Sequence, residues 1–232
     1  MENLVSIIIP AYNEANYIKQ TVDELRNFFK GPRFEIIVSA DGCTDLTSNV
    51  VRRISKIDKR VKAIGTVKRL GKGGGLKNGF YASQGDIVVF ADADQSSSPS
   101  EIARLIELLK GFDIVIGSRA IDRTKVLKRQ SLVRDYMGRI FNSLLRIIIG
   151  IKIKDTQCGY KAFRRNALTE LIPKVKSNGW EFDAELLYRA TKDNYKIYEC
   201  AIQWRNRSES KLSIFPDSLE MLIGLIKMRL TS

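Results

Sequence analysis

Ile87-Val88-Val89-Phe90-Ala91-Asp92-Ala93-Asp94 runs apolar and then ends abruptly in two carboxylates. Such a run reads as a buried strand that delivers charge to its own tip. In an open α/β sheet, ligands sit outside the carboxyl ends of the strands. Two Asp at i and i+2 there can hold a hard divalent cation, Mg²⁺ or Mn²⁺, which in turn holds phosphate oxygens. A strand followed by an Asp-rich turn fits the same residues, so the reading depends on what surrounds it.

Upstream, Leu4-Val5-Ser6-Ile7-Ile8-Ile9 is β-branched and ends at Pro10, which predicts a central strand running into the loop Pro10-Ala11-Tyr12-Asn13-Glu14. Ile18, Val22, Leu25 and Phe29 recur at helical spacing until Gly31-Pro32, and Phe34 to Ser39 makes a second strand ending at Asp41-Gly42. Thr44 or Asp45 can cap a helix carrying Val50, Val51 and Ile54, and Val61 to Val67 gives a third strand. Strand and helix alternate, which predicts a mostly parallel sheet flanked by helices. Gly71 to Gly79, with Lys72 and Lys77, reads as a basic glycine loop opening a helix, where free N–H groups and lysines can face a phosphate; a flexible turn with solvated lysines fits too. Pro99 opens another helix, and Phe112 to Gly117 forms a further strand ending at Ser118-Arg119.

The chain of 232 residues fits a single domain with a substantial core, divided into residues 1–119 and a later half, 120–232. Lys and Arg total 39 against 26 Asp and Glu, and the net charge of +13 points to an anionic partner. With no His, the chain lacks the usual general base near neutral pH and the commonest zinc ligand. Its three cysteines, Cys43, Cys158 and Cys200, show no paired spacing, which suits a reducing compartment. The opening residues do not read as a signal peptide. Ile140 to Ile153 is interrupted by Arg146 and Lys152 and falls short of the about 20 residues of a spanning helix.

The later half has a different character. Ala120 to Gln130, basic and poor in apolar residues, reads as a mobile loop. Val133 to Ile153 and the closing segment around Leu219 to Ile226 mix apolar and basic residues, as interfacial helices do, although helices buried against the body fit equally.

Taken together, Pro10 to Glu14, Asp41-Gly42, the Gly71 to Gly79 stretch and Asp92-Ala93-Asp94 resemble the inverting, family 2 glycosyltransferases of the Rossmann-like A-type fold. Asp155-Thr156-Gln157-Cys158-Gly159-Tyr160-Lys161 and Trp180-Glu181-Phe182-Asp183-Ala184-Glu185-Leu186-Leu187 resemble the dolichyl-phosphate glucose synthases within that family, with the mannose synthases as kin. The resemblance implies that Pro10, Tyr12, Glu14, Asp41, Lys72 and Asp92 surround the nucleotide of a nucleotide sugar, UDP-glucose in preference to GDP-mannose. It assigns Mg²⁺ or Mn²⁺ to Asp92 and Asp94, with Gln95 a weaker candidate. Arg205 and Lys211 would close over the diphosphate and, with Asp94, serve catalysis, although Ser208 stands where the kin carry Gly. Arg119 and Arg134, in Gly117-Ser118-Arg119 and Ser131-Leu132-Val133-Arg134, would meet a dolichyl or polyprenyl phosphate. Asp155, Gln157, Trp180 and Asp183 would border the sugar or acceptor. The expected location is the cytoplasmic face of a membrane, held peripherally through the anionic surface.

An acceptor phosphomonoester, with a second pKa of about 6, arrives ionised and needs no base. A sugar-hydroxyl acceptor needs one, for which Asp155 or Asp183 is available, unless these carboxylates serve only to position Lys161 or cap the helix near Trp180. A basic nucleic-acid-binding domain rests on the +13 charge alone and is set aside, because the later helices cluster apolar residues.

Overall fold

In a computed structural model of the chain, the described residues are 3–128, 143, 146–206, 223, 224, 226 and 229. Arg134, Ser208, Lys211 and most of both proposed surface helices lie outside them.

β1 (Val5–Ala11), α1 (Ile18–Phe28), β2 (Phe34–Asp41), α2 (Thr47–Ile57), β3 (Val61–Thr66), α3 (Lys72–Ala82), β4 (Ile87–Phe90), α4 (Pro99–Leu108) and β5 (Ile114–Ser118) alternate as the sequence predicts. They are followed by β6 (Val126–Lys128), β7 (Lys161–Arg164), α5 (Arg165–Leu171), α6 (Phe182–Lys192), β8 (Ile197–Ala201) and β9 (Trp204–Arg205). One seven-stranded sheet runs β3-β2-β1-β4-β7-β5-β8. Only β7 is antiparallel to its neighbours, β4 and β5; the other adjacent pairs are parallel.

Strand alternation sorts the core onto both faces of this sheet. Ile7 and Ile9 pack with Val22 and Leu25 of α1, Val51 of α2 and Leu105 of α4. Ile8 points the other way, into a second cluster with Leu76 and Phe80 of α3, Leu168 of α5 and Leu186 of α6. The strands are buried on both faces because helices cover both. The chain steps from β1 to β2 on one side while β4 lies on the other, so the switch point of strand order falls between β1 and β4. Asp92 and Asp94 leave the sheet at that point.

α3 lies close against β1. A Cβ at Gly79 would come within 2.2 Å of Ile8 Cγ2. Gly79→Ala is therefore expected to lower stability by about 1–3 kcal/mol through overpacking, read as a lowered thermal midpoint; an unchanged midpoint would show that the β1–α3 contact yields freely.

Two readings of the later half change. Ala120 to Lys128 is not a featureless loop: Asp122 Oδ1 accepts from Thr124 N at 3.0 Å, starting a short 3₁₀ turn, and β6 then pairs in parallel with β9. That pairing joins segments far apart in sequence, which local composition does not reveal. At the chain's end, residues 223, 224, 226 and 229 are helical, and Arg229 Nη1 donates to the Tyr188 hydroxyl at 3.0 Å. Arg229 is thereby tied to α6, while Ile223 and Ile226 are exposed. Of the segment before β7, Ile149, Ile151 and Ile153 are buried in the core, while Ile147 is exposed.

Candidate active site

Two loops at the carboxyl ends of β1 and β2 are tied together. Asn13, at a left-handed φ of 53°, accepts through Oδ1 from Thr44 N at 2.8 Å, and Glu14 N donates to Thr47 Oγ1 at 2.7 Å. Leu46, not Thr44 or Asp45, is the N-cap residue of α2, although Asp45 Oδ1 accepts from Thr47 N at 2.9 Å. The Tyr12 ring lies under the Arg69 guanidinium, 3.9 Å from its Cζ to the ring centroid. Arg69 was not picked out from the sequence; it lies in the basic stretch Lys68 to Lys72, but only the fold sets it over Tyr12. Pro10, Tyr12 and Glu14 are all partly exposed on this rim. Asp41 is 4% exposed, and its carboxylate accepts from Thr66 Oγ1 at 2.9 Å, Leu70 N at 2.8 Å and Gly71 N at 2.7 Å. Asp41 thus builds the loop that carries Arg69 and leads to Lys72.

The glycine-rich stretch is helix, not a loop before one. α3 begins at Lys72, and Gly73, Gly74, Gly75 and Gly79 lie buried within it. Gly73 N and Gly74 N donate to the carbonyls of Gly179 at 3.3 Å and Asn178 at 3.0 Å. Those N–H groups therefore face the segment before α6 rather than a phosphate. The glycines permit close approach: a Cβ at Gly73 would meet the Phe182 side chain at 2.5 Å. Gly71, at φ +99°, makes the turn into the helix, where a Cβ would also strike the Asn178 carbonyl.

Beyond β4, Ser96 N donates to Asp94 Oδ1 at 3.0 Å and turns the chain, with Gln95 buried at φ 57°. Arg205 N donates to Ser96 O at 2.8 Å, which brings β9 beside the two aspartates. The Tyr160 hydroxyl accepts from Ser97 N at 3.1 Å. Burial, together with the Asp92 and Asp94 carboxylates, pushes that phenol well above its ordinary range. A Cβ at Gly159 would fall 2.1 Å from Asp92 Oδ1, so the Gly159 backbone lies directly against this carboxylate. Among the described residues no group of three or more acidic, Cys or His side chains gathers. The donor set, two carboxylates at one strand tip, suits Mg²⁺ or Mn²⁺, which keep several waters and take further ligands from substrate phosphates.

Behind the aspartates lies a chain of buried charges. Lys161 is wholly buried on β7, with its ammonium 2.6 Å from Asp183 Oδ1 and also donating to the Cys158 carbonyl. Asp183 Oδ2 lies 3.0 Å from Lys72 Nζ, which in turn lies 3.9 Å from Asp92 Oδ1 and 5.8 Å from the centroid of the Trp180 ring. Burial pulls the Lys72 ammonium down, but the Asp183 and Asp92 carboxylates outweigh it and hold its pKa above the ordinary value. Burial likewise pushes Asp183 up, and Lys161 and Lys72 together bring it below its usual range. Asp183 does not cap α6, whose N-cap residue is Glu181.

Asp155 is matched with Arg119. The guanidinium donates through Nε at 2.7 Å and Nη2 at 2.8 Å, and Arg119 N adds a third bond at 3.0 Å. Burial raises the Asp155 pKa, but Arg119 outweighs it and the carboxyl stays below its usual range. The Nε–Nη2 edge of this guanidinium is thus turned toward Asp155, and Arg119 Cζ lies 5.4 Å from the centroid of the Trp204 ring. Gln157 is partly exposed, with its side-chain nitrogen buried. The Cys158 thiol, pushed up to about 12 by burial and Asp155, stays protonated at neutral pH.

Paired carboxylates at the switch point of an α/β sheet, with the Lys72 ammonium beside them, can hold phosphate oxygens through a divalent metal. The family model for glycosyl transferase family 2 matches residues 6–172. The chain belongs to this family. It is 32% identical to the dolichyl-phosphate beta-glucosyltransferase of Saccharomyces cerevisiae, over 99% of this chain and 75% of that one. The human protein of the same name is 31% identical, over 97% and 75%. Glycosyltransferase AglD of Haloferax volcanii is 34% identical over 94% of this chain, which spans 35% of that longer protein. The fold matches the crystal structure of Mycobacterium tuberculosis glucosyl-3-phosphoglycerate synthase in complex with Mn²⁺, UDP-glucose and phosphoglyceric acid, with a TM-score of 0.75, 22% identity and coverage of 99% and 80%.

Proposed function

We infer that this glycosyltransferase transfers glucose from UDP-glucose, with inversion, to dolichyl or another polyprenyl phosphate, using Mg²⁺ or Mn²⁺. The observation that carries the reading is the state of Asp155 and Asp183. Each carboxylate is buried in ion pairs with internal cations and held below its ordinary pKa, the opposite of what a general base working near neutral pH needs. An acceptor that arrives as a phosphate dianion needs no such base. The yeast and human relatives, by name, use dolichyl phosphate.

In this reading Tyr12 and Arg69 border the nucleoside. Asp92 and Asp94 hold the metal, which supplies Lewis-acid stabilisation of the departing diphosphate. Lys72 and Arg205 add positive charge on that side, with Lys211 joining them. Arg134 meets the acceptor phosphate. Residues 120–232 form the acceptor-facing half, which rests on an anionic membrane surface through exposed Ile147, Ile223 and Ile226 and through basic residues contributing about 1 kcal/mol each. No described helix is long and apolar enough to cross a membrane.

The test is a panel of UDP- and GDP-sugars offered with dolichyl phosphate, scored by which sugar enters the lipid phase. Glucose from UDP-glucose is the expected product, with calorimetry showing UDP bound more tightly than GDP. Tighter GDP binding would move the assignment to a mannose transferase. Transfer to a sugar hydroxyl in place of the lipid would overturn the acceptor.

A further inference from the structure

We propose that Lys161 is a positioning residue for the donor diphosphate, acting through Asp183 on Lys72. This rests on the functional reading above. Lys161 sits on β7, flanked in the sheet by β4 and β5, and its side chain is fully buried. A lysine there is hard to explain as a stabilising choice, since buried ion pairs can often be exchanged for apolar residues without loss. Its geometry supplies a different reason. Asp183 offers one oxygen to Lys161 and the other to Lys72, so two cations share one carboxylate. Lys161, Asp183 and Lys72 together carry one net positive charge, and Lys72 is the member that faces the Asp92 carboxylate, 3.9 Å away.

Without Lys161, Asp183 and Lys72 form a neutral pair. The carboxylate is then free to turn and draw the ammonium inward, away from Asp92. With Lys161 in place, Asp183 is fixed from behind by the 2.6 Å bond, and Lys72 is held between Asp183 and Asp92 at the strand tip. β7, α6 and α3 thereby set one ammonium beside β4. A diphosphate at that tip meets a cation whose place is already fixed, which spares ordering cost on binding.

The experiment compares UDP with uridine, each titrated calorimetrically in saturating Mn²⁺ against wild type, K161M, K161R and K72M/K161M, with K72M as reference. K161M is expected to bind UDP about tenfold to a hundredfold more weakly, the scale of a charge-assisted hydrogen bond, with uridine affinity unchanged. K161R should restore most of the UDP affinity. K72M/K161M should bind UDP no more weakly than K72M alone, since Lys161 acts only through Lys72. Should K161M not fold, K161Q removes the charge while keeping a hydrogen-bond donor, and the same selective loss for UDP is expected of it. Wild-type UDP affinity in K161M or K161Q, an equal loss for uridine, or additive losses in the double variant would each overturn the proposal. Wild-type protein that binds no UDP would overturn the functional reading as well, whereas the other outcomes leave that reading standing.

Discussion

Asp94→Ala is expected to transfer sugar on the order of a thousandfold more slowly than wild type, the scale seen when one preorganised group serving the transition state is removed. Asp94 emerges with Asp92 at the switch point of the sheet, and its orientation is set by the bond from Ser96 N. With only Asp92 left, a small divalent cation loses one of two anionic anchors, and no His is present to replace it. Mn²⁺ affinity should fall in parallel, which direct titration reads independently of turnover. The thermal midpoint should move little, because Asp94 is partly exposed and belongs to neither apolar cluster. Undiminished turnover by the variant, or by wild type in excess EDTA, would remove the metal from the reaction.

The first half of the fold was legible because its signals are local. Val5 to Ala11 and Phe34 to Asp41 are rich in β-branched and aromatic residues and are buried almost throughout, as strands covered by helices on both sides must be, and the intervening helices carry apolar residues at regular three- and four-residue spacing. β7 was not legible. It is only Lys161–Arg164, too short and too charged at its ends to read as a strand, although a carboxylate positioning Lys161 is among the sequence readings and Asp183 does so. Its antiparallel insertion between β4 and β5 depends on contacts across the whole sheet.

The site divides in the same way. Asp92, Asp94 and Tyr12 are candidates by residue type at the end of a strand. The glycines of α3 read from sequence as a phosphate loop, but they lie inside a helix. Glycine-rich sequence signals close backbone approach, and what approaches here is Phe182 and Ile8 rather than phosphate. Arg119 is paired with Asp155, for which the sequence admits a structural role beside one at the substrate. Charge alone cannot separate an internal ion pair from a binding residue when the two are far apart in sequence.

Gly159→Ala is expected to cut transfer by roughly a hundredfold, which is the cost that a 1 Å misplacement of a reacting group can carry. Its new Cβ would lie 2.1 Å from Asp92 Oδ1 and 2.3 Å from both Cγ and Oδ2, so something must move. The backbone on either side is held. Ala91 N donates to Ile8 O at 3.0 Å, Gly117 N donates to Tyr160 O at 2.9 Å, and the Tyr160 hydroxyl is tied to Ser97 N. The cheapest relief is rotation of the Asp92 carboxylate away from Gly159, and that rotation would displace the proposed metal ligand. Mn²⁺ affinity should therefore fall with activity, while the thermal midpoint stays close to wild type. Gly111→Ala is the control, because a Cβ there meets nothing within 4 Å, and it should match wild type in both respects. A Gly159→Ala protein that keeps wild-type Mn²⁺ affinity would show that Asp92 does not hold the metal from this position, and the assignment of the strand tip would have to be redrawn.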